Sequence, residues 1–310
     1  EHLLEPAQVS VVPVWLGAPF VLFLLAIAVA PFIDKPWWEH HYPTVAAALS
    51  VIVVAYYVLV LGNVSRLVLS LYEYVSFISL VGSLFVVAGG IHFNLRGKAA
   101  PWENVLLLGA GALLSNLIGT TGASMLLIRP FLRSNKYRVK GYHVVFFIFI
   151  VSNIGGALTP IGDPPLFLGY LKGVPFFWVV TKAWFAWMLV LGLLLLLFYA
   201  LDRYYFKQVS RKTQSEAIQP ETVTFSGLHN VWFLVIIIAA VFVQRPLMLR
   251  EVLMWSAAMG SYFTTRHEVH KKNEFNFVPL REVAILFLGI FATMIPALDW
   301  LGMNASSLAI

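Results

Sequence analysis

Val151 to Gly173, reading VSNIGGALTPIGDPPLFLGYLKG, sets helix-breaking and ion-coordinating residues in the middle of a membrane-grade apolar sequence. Gly155, Gly156, Pro160, Gly162, Pro164 and Pro165 stop a helix there, with apolar segments on both sides (Tyr142–Val151 and Leu166–Leu171). Lipid offers no hydrogen bonds, so unwound backbone at membrane depth survives only where protein buries it or water reaches it. Ser152, Asn153, Thr159 and Asp163 add side-chain oxygens to the freed carbonyls, and such hard ligands suit a small cation such as sodium. The competing reading is a proline kink whose polar groups are satisfied locally. An ionisable residue among apolar segments favours the ion site.

A second polar interruption, SNLIGTTG from Ser115 to Gly122, lies between helical stretches at Trp102–Leu114 and Ala123–Leu132. Basic residues flank it on both sides: Arg96 and Lys98 before, and Arg129, Arg133, Lys136, Arg138 and Lys140 after. Positive loops stay in the cytoplasm, so the segment, about 102–132, is expected to enter and leave on one face as a re-entrant hairpin with its tip at membrane depth. Ser115, Asn116, Thr120 and Thr121 of that tip are candidate site residues, given the matching motif from Ser152. The same small polar residues also serve to join neighbouring helices in membranes.

The elements that must position these two motifs follow from composition. The 310 residues are 60% hydrophobic and 12% charged, against roughly 45–50% and 25% in soluble domains, which gives an all-α polytopic membrane protein. The net charge of +6 resides in short clusters between apolar runs; it is topological and implies no nucleic-acid partner. Absent cysteines exclude disulfides and thiolate chemistry. Apolar runs long enough to cross a bilayer are expected at Val14–Ile33, Thr44–Leu61, Ser76–Phe93, Tyr142–Leu171 with its break, Phe176–Leu201, Asn230–Val243, Leu249–Thr265 and Glu282–Leu301. Residues 1–201 then form a first repeat, 202–228 a cytoplasmic linker and 229–310 the start of a second. Alternation puts the N-terminus outside, in agreement with a signal peptide removed before Glu1. Five crossings plus a hairpin invert the second group relative to the first, the construction of many secondary transporters. Gly82 and Gly289, about 207 positions apart in similar spans, mark the repeat. By that offset the second hairpin falls beyond Ile310, so the second repeat is incomplete.

At SNLIGTTGASMLLIRP from Ser115 and SNIGGALTPIGDPP from Ser152, the chain resembles the ion transporter superfamily, and within it NhaD-type sodium:proton antiporters and related citrate transporters. The resemblance implies a scaffold region, a mobile transport region and a sodium site between a Ser-Asn hairpin tip and a Gly-rich broken helix. Carried over, its ligands are Ser115 and Asn116 at the tip with Ser152, Asn153, Gly155 and Thr159 at the break, and Gly156 belongs to the same break. It implies a non-enzyme in the bacterial cytoplasmic membrane, with no cofactor and with sodium as coupling ion or cargo. Protons are the exchanged species, and the expected assembly is a homodimer or a larger membrane complex. Asp163 departs from the dicarboxylate carriers, which have a neutral residue there. A fixed carboxylate attracts sodium and exchanges it for a proton, whereas it repels citrate unless neutralised, and neither motif contains Lys or Arg. Sodium:proton antiport is therefore the expected function, with sodium-coupled citrate or dicarboxylate symport, or a scaffold subunit, as alternatives.

Other ionisable groups read as interfacial. His40 and His41, among Trp37, Trp38 and Tyr42, lack further metal ligands in view. His92 and His143 sit at span ends as packed or interfacial histidines. Glu73, Glu103, Glu251 and Glu282 are expected within reach of water. Asp34, Asp202 and Asp299 fall near span ends, so Asp163 has no second mid-span aspartate with which to share a proton, which disfavours intramembrane proteolysis.

Overall fold

A computed structural model describes residues 10–96, 100–208, 222–243 and 245–308 of the chain. Helices dominate: α1 (Ala18–Ile33, preceded by a 3-10 turn at Val14–Gly17), α2 (Lys35–Leu59), α3 (Val64–Gly89), α4 (Pro101–Ser134), α5 (Gly141–Phe147), α6 (Pro164–Leu171), α7 (Trp178–Phe206), α8 (Asn230–Val241), α9 (Leu249–Thr264), α10 (His267–Lys272), α11 (Val278–Thr293) and α12 (Ile295–Leu308). Five are long and apolar enough to cross a membrane, or six if α11 and α12, bent by 40°, count as one span. Two compact units divide the described chain, one from residues up to Ile78 with Asn276 onward and the other from Ser79–Phe275.

In the first unit the aromatic faces decide the packing. Phe77 lies between Phe287 (ring centroids 4.5 Å apart) and Phe291 (5.7 Å). Gly289 lets α11 close on α1 and α2, since a Cβ there would meet Phe23 at 2.6 Å and Ala46 at 3.0 Å. Asp299 is buried and neutralised: Arg66 Nε donates to Oδ1 and Tyr57 Oη to Oδ2, each at 2.8 Å. This pair explains why α3 begins at Val64 and not at Ser76. Arg66 is a helical residue with an internal partner, so its charge does not mark the end of the span. Glu73 is 6% exposed and therefore not in reach of water as its sequence position suggested. The expected single span Glu282–Leu301 is bent at Met294, where Pro296 deprives the helix of a backbone donor.

The second unit is organised by a fold-back. α4 counts 34 residues, yet Gly119 within it has φ 77° and ψ 154°, a conformation essentially reserved for glycine. A straight helix would separate Asn104 and Asn135 by roughly 46 Å at about 1.5 Å per residue. Instead their amides are paired reciprocally, at 2.9 Å and 2.8 Å. The two arms, Pro101–Ile118 and Thr120–Ser134, are thus a closed helical hairpin, and Leu127 packs where a Cβ on Gly111 would sit. Cysteines at Asn104 and Asn135 in this cysteine-free chain are expected to form an intrachain disulfide under mild oxidation, read by peptide mass spectrometry. Persistence of both free thiols would contradict the fold-back.

Asp202, 0% exposed, ties the hairpin base to its neighbours. It takes both guanidinium donors of Arg138, Tyr142 Oη at 2.7 Å and Asn104 Nδ2 at 2.9 Å. Both hairpin ends, the start of α5 and the end of α7 are therefore together at one end of the unit. α7 runs on to Phe206, into the stretch expected as linker, and Thr222–Ser226 of that stretch is a strand, β2, antiparallel to β1 (His92–Arg96) with His92 opposite Ser226. His92 accordingly ends no span. α3 stops at Gly89 because Asn273 Nδ2 bonds the Gly89 and Ile91 carbonyls, both at 2.8 Å, and Asn230 Nδ2 bonds Gly90 at 2.8 Å. The expected segments Asn230–Val243 and Leu249–Thr265 form α8 and α9; with 12 residues, α8 is roughly 18 Å long, short of a hydrocarbon core of about 30 Å. Lys98 of the expected basic flank, and residues 209–221 of the expected linker, lie outside the described residues.

Candidate functional site

Polar residues in the second unit bring the hairpin tip and the interrupted helix into one interlock. After α5 the backbone widens into a π-helix at Ile148–Asn153, tightens into a 3-10 turn at Ile154–Gly156, and resumes as helix only at Pro164. π-turns displace carbonyls from their usual partners. Ser115 Oγ lies 2.8 Å from the Val151 carbonyl and 2.8 Å from that of Gly111 in its own helix. Asn116 works at both ends of its amide: Nδ2 donates to Gly155 O at 2.6 Å and Ala112 O at 3.1 Å, and Oδ1 accepts from Leu158 N at 3.0 Å. Thr159 Oγ1 returns a bond to the Asn116 carbonyl at 2.6 Å and accepts from Gly162 N at 3.1 Å. Ser152 meets Ser124 of the second arm, Oγ to Oγ, at 2.8 Å.

Sterics make this approach specific to glycine. A Cβ on Gly155 would stand 2.6 Å from Ile150 O, 2.9 Å from Ala112 Cα and 3.1 Å from Ser115 Oγ, and one on Gly156 would reach Thr120 Cγ2 at 2.6 Å. Backbone atoms on two sides cannot yield as a side-chain tip would. Gly155→Ala is therefore expected to destabilise the protein by about 3 kcal/mol, the upper part of the overpacking range, as a lowered midpoint of thermal unfolding. Gly192→Ala in α7, with nothing within 4 Å, should not lower it.

Of the residues singled out in the sequence, Ser115, Asn116, Ser152, Gly155, Gly156 and Thr159 meet directly, and Thr120 contributes its methyl group. Asn153 and Thr121 are exposed, and neither hydrogen-bonds the other motif among the described residues. Asp163 is half-buried immediately before α6, but its carboxylate does not cap that helix. Three participants carried no sequence signal: Ser124, Trp187, whose Nε1 donates to Ile154 O at 2.7 Å, and Arg250. Arg250 stacks over Phe167 of α6 at 5.9 Å, one helical turn beyond Asp163, and donates to Glu251 Oε1 through Nε (3.1 Å) and Nη2 (2.8 Å). Glu251 is 4% exposed, so it too is not the water-accessible residue its position suggested. His143, fully buried, accepts from Lys140 N through Nδ1 at 3.2 Å, and its Nε2 lies 3.3 Å from Asp202 Oδ1. It is occupied in the hairpin base. His40 and His41 each spend Nδ1 on the carbonyl four residues back, at 2.8 Å, and no cluster of three metal-binding side chains occurs among the described residues.

No curated protein and no solved structure gives a significant match to this chain. Residues 9–310 match the sequence profile of a family described as putative citrate transport. With helices of membrane-crossing length and apolarity over the same residues, the chain belongs to this citrate-transport family and is a multi-pass membrane transporter.

Proposed function

We propose that the protein exchanges sodium for protons across a cytoplasmic membrane, with sodium held between the hairpin tip and the interrupted helix. Asp163 carries this reading. It is a half-buried carboxylate in the break, with no hydrogen bond to the helix that follows it, and a carboxylate so placed is stable only with a proton or a cation. The two alternate on one group, which is the chemistry of antiport. Oxygens for sodium come from Ser115, Asn116, Ser152, Asn153, Thr159 and the carbonyls released by the π-turn. The hairpin is re-entrant in this scheme, its arms roughly 27 and 22 Å long, so its tip ends inside a core of about 30 Å. The expected assembly is a homodimer or a larger membrane complex.

Sodium-coupled uptake of a di- or tricarboxylate is a second reading, favoured by the family's description and by Arg250 over Phe167, the residue one turn after Asp163. Glu251 already neutralises that guanidinium, which is why antiport ranks first. Proteoliposomes separate the two. With an inward sodium gradient and a pH-sensitive dye inside, antiport alkalinises the lumen on sodium addition with no carboxylate present. Uptake of labelled citrate with sodium, and no alkalinisation without citrate, would replace the first reading with the second.

A further inference from the structure

From the hairpin base we infer that a headgroup site for anionic phospholipid is built from Arg133, Lys136 and Lys140 after the second arm and Arg203 and Lys207 at the end of α7. All five side chains are exposed. The two segments are 63 to 74 residues apart in sequence, yet the buried Asp202 holds them side by side through Arg138 and Tyr142. Tyr142 stacks on Tyr205 at 5.4 Å, and Lys140 Nζ stands 3.7 Å over the same Tyr205 ring. Asp202 is the single acid of residues 129–143 and 199–208. Buried and committed to Arg138, it cannot balance the five exposed cations. A fixed positive surface of this density at a helix end attracts anions.

The choice of lipid over a dissolved anion rests on α7. Its exposed face carries Leu193, Leu196 and Leu197, the surface of a helix that meets acyl chains. Within about three turns this gives way to Arg203, Tyr204 and Lys207. Tyrosine at such a change belongs to the headgroup level, and Tyr137, also exposed, repeats it on the neighbouring segment. Phosphates at that depth are those of the lipids themselves, and basic residues beside a spanning helix recognise anionic headgroups. One headgroup bridging the segments would brace the same junction that Asp202 braces from within, so lipid composition bears on the anchorage of the hairpin.

Purified protein is equilibrated with equimolar phosphatidylglycerol and phosphatidylcholine in detergent, and retained lipid is counted by native mass spectrometry. The expected result is a preference for phosphatidylglycerol of about tenfold, reduced to near parity when all five residues are replaced by glutamine. If that protein fails to fold, Lys136→Gln with Lys207→Gln should give an intermediate loss. Lys35→Gln, a cation on α2, should leave the preference intact. Equal retention of the two lipids by the native protein, or a preference that survives the substitutions, would overturn the assignment. Displacement of the lipid by millimolar inorganic phosphate alone would make this a site for free anions and would overturn it as well.

Discussion

Asp163→Asn is expected to abolish sodium-driven proton movement, with a loss of about a hundredfold or more, the scale seen when a group that carries the transferred proton is removed. The amide is nearly isosteric and keeps an oxygen for coordination, but it can neither bind a proton at working pH nor supply the charge that draws sodium from water. Because the carboxylate caps no helix and makes no hydrogen bond to α6, thermal stability should change little. That separates loss of chemistry from loss of structure. Retained proton flux in a well-folded variant would remove Asp163 from the exchange.

Asp202→Ala should have the opposite character: a collapse of stability with no direct role in ion chemistry. The substitution strands Arg138, 9% exposed at its side chain, and deprives Tyr142 and Asn104 of their acceptor. Breaking a buried ion pair from one side costs about 3–5 kcal/mol, which corresponds to a fall in the unfolding midpoint on the order of 10 °C. Asp202→Leu combined with Arg138→Met removes both charges and should recover at least half of that loss, since two apolar groups leave no unpaired ion. Additive losses in the double variant would mean that the pair is not coupled.

These two aspartates mark how far the sequence can be read. The interruption of the helix between Asn153 and Pro164, and the turn at Gly119, are legible because glycine, proline and small polar residues are costly in apolar helices unless something local requires them. Near span ends, by contrast, a charge reads as interfacial whether or not it is paired. Arg66 and Asp299 are 233 positions apart, and Arg138 and Asp202 are 64; no local pattern announces either meeting. The start of α3, the burial of Glu73 and Glu251, and the strand pair His92–Arg96 with Thr222–Ser226 were hidden for the same reason. Within the candidate site, Ser115, Asn116 and Thr159 stood out by type and position. Ser124, Trp187 and Arg250 did not, because each meets its partner, Ser152, Ile154 or Phe167, across a separation in sequence that no local pattern announces.

The closed base of the α4 hairpin bears on how the chain is assembled in its membrane. A single helix of the same sequence crossing the bilayer would have to carry either its leading flank or the run from Arg129 to Lys140 through hydrocarbon, at about 2.5–3.5 kcal/mol for each cation on translocation scales. In the re-entrant arrangement proposed above, the pairing of Asn104 with Asn135 keeps both flanks on one face, and only apolar arms and a small polar tip enter lipid. In that arrangement, insertion of this segment needs no export of charge. It can follow its neighbours into place, with the interrupted helix waiting to take up the polar groups of the tip.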